Sequence, residues 1–216
     1  MAGLPAVFLA GLPAVFLAGL PARAAQDDAQ QVLENVRQKY ESVNDAELHF
    51  SQKVKFPLSK LEQSVSGTLY LKKDKKYRVE TPSQTIVTDG ATVWSYSPAS
   101  QQVLIDHYKE TEGSLTPERL LTGAAGGFQP ALVGRTRLGK TDVVEVKLIP
   151  LGDQGLVSTV RLWVDEHDWM VRQVEIVDAN GKQTTYTVQQ SRVNIGLPDS
   201  RFSFQPPEGT DVVDLR

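Results

Sequence analysis

The chain has 216 residues, of which 40% are hydrophobic and 23% are charged, and its formal net charge is −3. This composition is typical of one soluble domain with a sizeable core. The acidic balance argues against nucleic-acid binding, which needs clustered positive charge, and the absence of cysteine excludes disulfides and cysteine metal sites.

The first 24 residues predict a cleaved secretory leader. Two copies of AGLPAVFL occupy residues 2–9 and 10–17, and a third copy begins directly after them. The segment ends in Ala22-Arg23-Ala24, which fits the small-x-small pattern of a cleavage site. Three prolines interrupt the apolar run, and each removes a hydrogen bond that a membrane-spanning helix needs. Because no basic residue precedes Arg23, an uncleaved anchor and a sequence artefact stay open as alternatives.

The rest of the chain, residues 25–216, predicts a single domain in the periplasm. A bacterial lipoprotein carries its lipid on a cysteine directly after the leader, and this chain has no cysteine. No shift in composition along residues 25–216 indicates a second domain. We therefore expect an exported protein that is free in solution.

Residues 27–44 predict the one long helix, because apolar residues recur there at three- and four-residue spacing. They are Ala29, Val32, Leu33, Val36, Tyr40 and Val43. Asp27 or Asp28 is expected to cap the N-terminus, where a carboxylate also suits the helix dipole. The apolar stripe predicts that one face of this helix is buried.

From residue 47 onward the apolar residues recur with a period of two, which predicts antiparallel strands. The predicted strands cover residues 47–56, 64–73, 77–80, 85–88, 92–97, 101–106, 142–149, 158–165, 170–177 and 183–190, and Phe202 and Phe204 close a last one. Asp89-Gly90 and Asn180-Gly181 predict hairpin turns. Residues 115–134 break the pattern and predict a short helical insertion. The fold class is therefore α+β and mainly β, as a barrel or a strongly curved sheet.

The sequence contains no motif for catalysis or metal binding. His49, His107 and His167 are scattered, and no two of them have the spacing of metal ligands. The polar cluster at residues 165–168 lies between two predicted strands and fits a turn. Nucleophile elbows, phosphate-binding glycine loops and His-Glu-x-x-His are all missing. We expect no catalytic residues, no metal and no cofactor.

Aromatic and apolar side chains are the remaining candidates for a site. Trp94 and Tyr96 share one face of their predicted strand, and Tyr77 and Val79 share a face of an earlier strand. These side chains either fill an ordinary core or line a cavity for an apolar ligand. Periodicity does not distinguish the two, and both interpretations stay open at this point.

Four stretches of the sequence identify a family by their order and spacing, although no single stretch is decisive. They are AELHFSQKVKF at residues 46–56, GTLYLKKDKKYRVETP at 67–82, TDGATVWSYSPASQQV at 88–103 and FSFQPPEGTDVVDLR at 202–216. Together they resemble the LolA-type family of outer-membrane lipoprotein carriers. With the leading helix, the resemblance covers nearly the whole chain from about residue 26.

The resemblance implies an incomplete antiparallel β-barrel lidded by helices, without enzymatic activity. It implies a periplasmic carrier that buries the acyl chains of lipoproteins. The partners it implies are an inner-membrane ABC transporter that supplies the lipoproteins and an outer-membrane receptor that is itself a lipoprotein. Because the chain has no cysteine, the carrier is favoured over the receptor. We expect a monomer.

The resemblance also implies site residues. Tyr77 matches an aromatic position at the cavity mouth of the family, and Val79 stands where the family has tryptophan. Lys73 stands where the family has an arginine that latches the lid, and it lacks that planar fork. The expected cavity lining is Tyr77, Val79, Trp94, Tyr96, Leu69, Leu71, Val36 and Tyr40. The expected lid spans residues 115–132, with Leu120, Leu121 and Phe128 facing inward.

Three other functions are compatible with the sequence. One is a periplasmic sensor or regulator that binds a lipid and contacts a membrane protein, although such proteins usually have a second domain. Another is a carrier of a different lipid, such as a glycolipid or a polyene. The third is a hydrolase with a cryptic site, which the absence of a nucleophile–base motif argues against.

Overall fold

A computed structural model of the chain describes residues 20–109, 127–151 and 157–216, with side chains from residue 28 onward. Over these ranges the chain forms α1, twelve strands and a 3₁₀ helix. The helices are α1 (Leu20–Glu41) and the 3₁₀ helix (Asp199–Phe202). The strands are β1 (Asp45–Phe56), β2 (Leu61–Lys72), β3 (Lys76–Glu80), β4 (Thr85–Thr88), β5 (Thr92–Ser97), β6 (Gln102–His107), β7 (Phe128–Leu138), β8 (Thr141–Pro150), β9 (Val157–Asp165), β10 (Val171–Asp178), β11 (Gln183–Val193) and β12 (Asp211–Asp214).

The described strands form one open, curved sheet. Their order is β12-β6-β5-β4-β3-β2-β1-β11-β10-β9-β8-β7. All neighbours are antiparallel except β12, which pairs in parallel with β6. Because β7 and β12 do not pair with each other, the barrel is incomplete. This architecture confirms the mainly β, strongly curved sheet that the sequence predicted.

Helix α1 packs on one face of the sheet, which we call the inner face. Ala29, Val32 and Val36 are buried in a core with apolar residues of β1, β2 and β8–β10. The helix begins at Leu20 and not at residue 27, so the prediction that an aspartate caps it was wrong. Residues 22–26 include three alanines, which have the highest helix propensity and continue the helix toward the N-terminus.

The turn between β4 and β5 has the predicted hairpin geometry. The Oδ1 atom of Asp89 accepts hydrogen bonds from the backbone N–H groups of Ala91 and Thr92 at 2.9 and 2.8 Å. Gly90 has φ 94°, in the left-handed region that favours glycine. A Cβ atom at position 90 would also collide with the backbone oxygen of Asp74. The sequence Asp-Gly is therefore required both by the turn and by its packing against the β2–β3 turn.

Two strands differ from the predictions. Residues 128–138 form β7, although Pro130 and Gly134 hide its alternation. Proline is tolerated because β7 is an edge strand, and the pairing with β8 is irregular between Leu132 and Gly134. At the C-terminus, Phe202 lies in the 3₁₀ helix, and the last strand is instead β12.

The C-terminal segment, residues 197–204, covers part of the opposite face of the sheet, the outer face. The backbone oxygen of Leu197 accepts a hydrogen bond from Lys72 Nζ at 2.8 Å. The guanidinium of Arg201 lies 4.7 Å from the ring centre of Tyr70 on β2. Phe202 is only 1% exposed. The sheet therefore has apolar burial on both faces, with α1 on one and the C-terminal segment on the other.

Gly67 on β2 is required by close packing. A Cβ atom at this position would lie 2.5 Å from the backbone oxygen of Glu80 and 2.7 Å from the Phe50 ring. We expect Gly67→Ala to lower the free energy of unfolding by about 1–3 kcal/mol, because the backbone of β3 must shift. Urea denaturation measures this loss. Ser66→Ala, at the exposed neighbouring position, should change stability by less than about 0.5 kcal/mol, and equal losses would contradict the packing argument.

The polar cluster at residues 165–168 forms the turn between β9 and β10, as predicted. Asp165 is 7% exposed and accepts hydrogen bonds from the backbone N–H of His167 at 2.9 Å and from the Arg172 guanidinium at 2.8 Å. Burial opposes ionisation of Asp165, but these hydrogen bonds prevail and hold its pKa below the ordinary value. Asp165 and Arg172 therefore form an ion pair that stabilises the turn.

Asp165→Asn tests this ion pair. We expect a loss of about 1–3 kcal/mol at pH 7, because the half-buried Arg172 guanidinium loses one of its two carboxylate partners and keeps only Asp168. Since the folded pKa is lowered, the stabilisation is fully present above about pH 4 and is lost as the pH falls through the lowered pKa. Denaturation at several pH values should show the difference between the two proteins shrinking below about pH 4. Asp142→Asn, which removes an exposed pair with Arg137, should cost less than about 1 kcal/mol at any pH.

Candidate functional site

Two cavities adjoin at Tyr77 on the inner face of the sheet. The first has a volume of about 480 Å³ and lies between the C-terminal end of α1, the start of β1 and the β2–β3 turn. The second has a volume of about 360 Å³ and lies over β5, β6 and the residues that follow them. Both volumes fall in the range of sites for small apolar ligands.

The strand register explains which side chains reach these cavities. Paired residues of neighbouring strands lie on the same face of a sheet. The pairs link Leu71 to Tyr77, Tyr77 to Thr88, and Thr88 to Val93, so these four side chains form one row across β2–β5. This row starts in the first cavity and ends in the second.

Tyr77 is the aromatic residue common to both cavities. Its ring contacts that of Tyr108 at 6.4 Å between centroids with an angle of 69°, and the Lys75 ammonium lies 5.9 Å from the Tyr108 ring. Burial raises the pKa of the Tyr77 hydroxyl, and the nearby Tyr108 contributes further. Tyr77 is therefore half-buried between the two cavities and presents an aromatic ring to both.

The structure brings together four of the predicted site residues. Tyr40, Leu71, Lys73 and Tyr77 all line the first cavity. Burial raises the pKa of the Tyr40 hydroxyl. The predicted residues Val36 and Leu69 lie in the packed core, and Val79 packs against its edge.

Trp94 and Tyr96 lie on the outer face, so they do not share the surface of Tyr77 and Val79 as predicted. Trp94 pairs with Val87, and Val87 pairs with Arg78, which places all three on the face opposite Tyr77. The Tyr96 ring instead contacts that of Phe204 in the C-terminal segment, with 5.7 Å between centroids. The prediction was wrong because the alternation of residues along a strand assigns them to two faces but does not show which face packs against α1.

The predicted lid is only partly described. Leu120 and Leu121 lie outside the described residues. Phe128 belongs to β7 and packs against the core, so the lid predicted over residues 115–132 is wrong from Phe128 onward. The lid was predicted to extend this far because Pro130 and Gly134 made the edge strand look irregular.

The lining of the second cavity was not predicted from the sequence. Val93, Leu104, Tyr108 and Leu215 line it together with Tyr77. The register of the Asp89-Gly90 hairpin was a usable signal for Val93, because it pairs Val93 with Thr88. Leu215 had no such signal, since it reaches the cavity only because β12 pairs in parallel with β6.

The mouth of the first cavity carries charges of both signs. Lys72 and Lys76 bond Asp199 at 2.7 and 3.3 Å, which directs them toward the C-terminal segment. Lys73 is exposed, and its backbone N–H donates to the oxygen of Asn44 at 3.1 Å. The first cavity is therefore lined by charged as well as apolar side chains.

The described residues do not provide a metal centre or a membrane helix. No group of three or more His, Asp or Glu side chains among them is placed to hold a metal ion. No helix in the same part of the chain combines the length and apolar character needed to cross a membrane. The arrangement provides apolar surface for burying a ligand.

Comparison with known proteins agrees with this geometry. Residues 41–205 match the family described as outer membrane lipoprotein carrier protein LolA. The chain is 31% identical over 172 residues to the outer-membrane lipoprotein carrier protein of Hahella chejuensis, covering 76% of this chain and 79% of that one. The carrier of Serratia proteamaculans is 27% identical over 199 residues, with 90% of each chain covered.

A solved structure shows the same fold. It is an uncharacterized conserved protein from Thermus thermophilus, with a TM-score of 0.60 and 15% identity. The likeness covers 87% of this chain and 99% of that one. Because the family match extends over most of the chain, and a relative that is 31% identical carries the same name, the chain belongs to the LolA family of outer membrane lipoprotein carrier proteins.

Proposed function

We propose that this protein carries lipoproteins through the periplasm by burying their acyl chains on the inner face of its sheet. The observation that supports this function best is the pair of cavities that adjoin at Tyr77, next to an apolar core. The match to relatives named as lipoprotein carriers supports the same ligand class. The proposed carrier is not an enzyme.

The physical chemistry of acyl chains explains why such a carrier is needed. Exposing each CH₂ group to water costs about 0.8 kcal/mol, so a chain of about 16 carbons would cost roughly 12 kcal/mol. A lipoprotein cannot cross an aqueous compartment at that cost. The cavity of a carrier provides a substitute for the bilayer while the lipoprotein is in transit.

The proposed transfer runs from an inner-membrane ABC transporter to a receptor lipoprotein of the outer membrane. The second step needs no energy source if the receptor binds the acyl chains more tightly than the carrier does. Leu120 and Leu121, which the family resemblance implies for a lid, lie outside the described residues and remain part of the proposal. Lys73, at the first cavity, is the proposed latch. An ammonium lacks the planar fork of an arginine, so this latch would hold the lid by fewer simultaneous hydrogen bonds.

Native mass spectrometry tests the carrier function. The protein is isolated from the periplasm without detergent and mixed with a triacylated lipoprotein. We expect a one-to-one complex, and no complex with the same lipoprotein after its acyl chains have been removed. A complex that forms equally well without acyl chains would contradict the proposal. If the protein does not bind the lipoprotein but copurifies with another lipid, its ligand is that lipid.

A further inference from the structure

The turn between β1 and β2 exposes apolar side chains at one end of the sheet. Leu58 is 95% exposed and Leu61 is 60% exposed. Pro57, which precedes them, lies beside the β10–β11 turn, since a Cβ atom at Gly181 would be 3.4 Å from its ring. We call residues 57–61 the hairpin tip.

Lysines surround the hairpin tip. Lys53 and Lys55 are exposed at the end of β1, Lys60 is in the turn itself, and Lys182 is in the neighbouring turn. The acids beside them are Glu62, which pairs with Lys53 at 2.5 Å, and Asp178, which lies 3.5 Å from Lys182. Four lysines and two acids make the described surroundings of the hairpin tip net positive, although the whole chain has a net charge of −3.

Local structure does not explain these side chains. Lys60 has φ 55°, a left-handed conformation that glycine adopts at lower cost. Leu58 is almost fully exposed, so it contributes little to the packing of the described chain. An apolar protrusion surrounded by lysines instead matches the chemistry of a bilayer with anionic headgroups, which accepts leucine below its surface and attracts ammonium groups.

We propose that the hairpin tip docks the protein on the surface of an anionic phospholipid bilayer. The tip lies at the far end of β1 from the first cavity, which is lined by Asp45 and Ala46. About eleven residue steps at about 3.3 Å place the two ends about 36 Å apart along the strand. Docking would therefore leave the cavities away from the bilayer, so membrane contact and ligand loading use opposite ends of the sheet.

Vesicle sedimentation tests this docking with the full chain as it is isolated from cells. One set of vesicles contains phosphatidylglycerol and phosphatidylethanolamine, and the other contains only phosphatidylcholine. We expect binding to the anionic vesicles that weakens as salt rises, because salt screens the lysines. Leu58→Glu should lower the partition coefficient by about tenfold or more. Lys55→Ser and Lys60→Ser should each lower it about fivefold.

Two further variants make the result specific. Leu58→Ser adds no charge, so its loss of binding reports the apolar contact alone. Val133→Glu, at a position on β7 that is 55% exposed, makes the same kind of change elsewhere and should bind like the unaltered protein. Equal binding by the unaltered protein and Leu58→Glu, or equal binding to both kinds of vesicle, would overturn the proposal. No lipoprotein is present, so either result leaves the carrier function untouched.

Discussion

Tyr77→Glu is expected to lower the affinity for lipoprotein acyl chains by about tenfold or more. Tyr77 lines both cavities, so a carboxylate there would face the ligand from either side. Burying a polar group without a partner costs about 1–3 kcal/mol in proteins, and about 1.4 kcal/mol corresponds to a factor of ten in Kd. Titration of the purified variant with a triacylated lipoprotein, followed by native mass spectrometry, measures the change.

Two controls isolate the effect of position. Tyr77→Phe keeps the apolar ring and should bind as the unaltered protein does. Tyr70→Glu makes the same substitution on the outer face of β2, beside the Arg201 guanidinium, and should leave acyl-chain binding unchanged. If Tyr70→Glu weakens binding as much as Tyr77→Glu does, the ligand does not lie on the inner face. Circular dichroism shows whether each variant is folded before binding is compared.

Phe202→Ala is expected to lower the free energy of unfolding by about 3–5 kcal/mol, which is a large part of the stability of an ordinary domain. Phe202 is 1% exposed in the segment that covers the outer face. Truncation would leave a cavity between that segment and the sheet. The backbone oxygens of Arg201 and Ser203 also lie 3.5 Å from Arg78 Nη1, so loosening the segment would weaken those contacts too.

Phe204→Ala provides the comparison. Its ring is partly exposed and contacts Tyr96, so we expect a smaller loss than at Phe202. Urea denaturation of both variants gives the two losses under the same conditions. If Phe202→Ala costs less than about 1 kcal/mol, the segment does not contribute to the core of the outer face. Equal losses of unfolding free energy at the two positions would show that the burial of a side chain does not determine how much it stabilises this segment.

Local signals were sufficient for most of the strands. The predicted bounds of β4 and β5 agree with the structure, because Asp89-Gly90 sets the turn between them through its own backbone hydrogen bonds. The turn at residues 165–168 was equally local, since its hydrogen bonds join residues within the same hairpin. Elements whose geometry depends on neighbours in sequence can be predicted from the sequence.

Two strands, β7 and β12, were not predicted. β7 is a strand because it pairs with β8 at an edge, where proline is tolerated. β12 forms because residues 211–214 return to the edge of β6, more than a hundred positions earlier in the chain. Neither pairing can be recognised from the local pattern of apolar residues.

The sequence by itself determined the number and direction of most strands, the apolar stripe of α1 and the family resemblance. Alternation also separated Trp94 and Tyr96 from their neighbours, but each strand has two equivalent faces until something packs on one of them. The tertiary structure decided which face is inner, because α1 covers one side and the C-terminal segment covers the other. The choice between Tyr77 and Trp94 as the residue facing the cavities therefore depends on long-range packing, which no local pattern records.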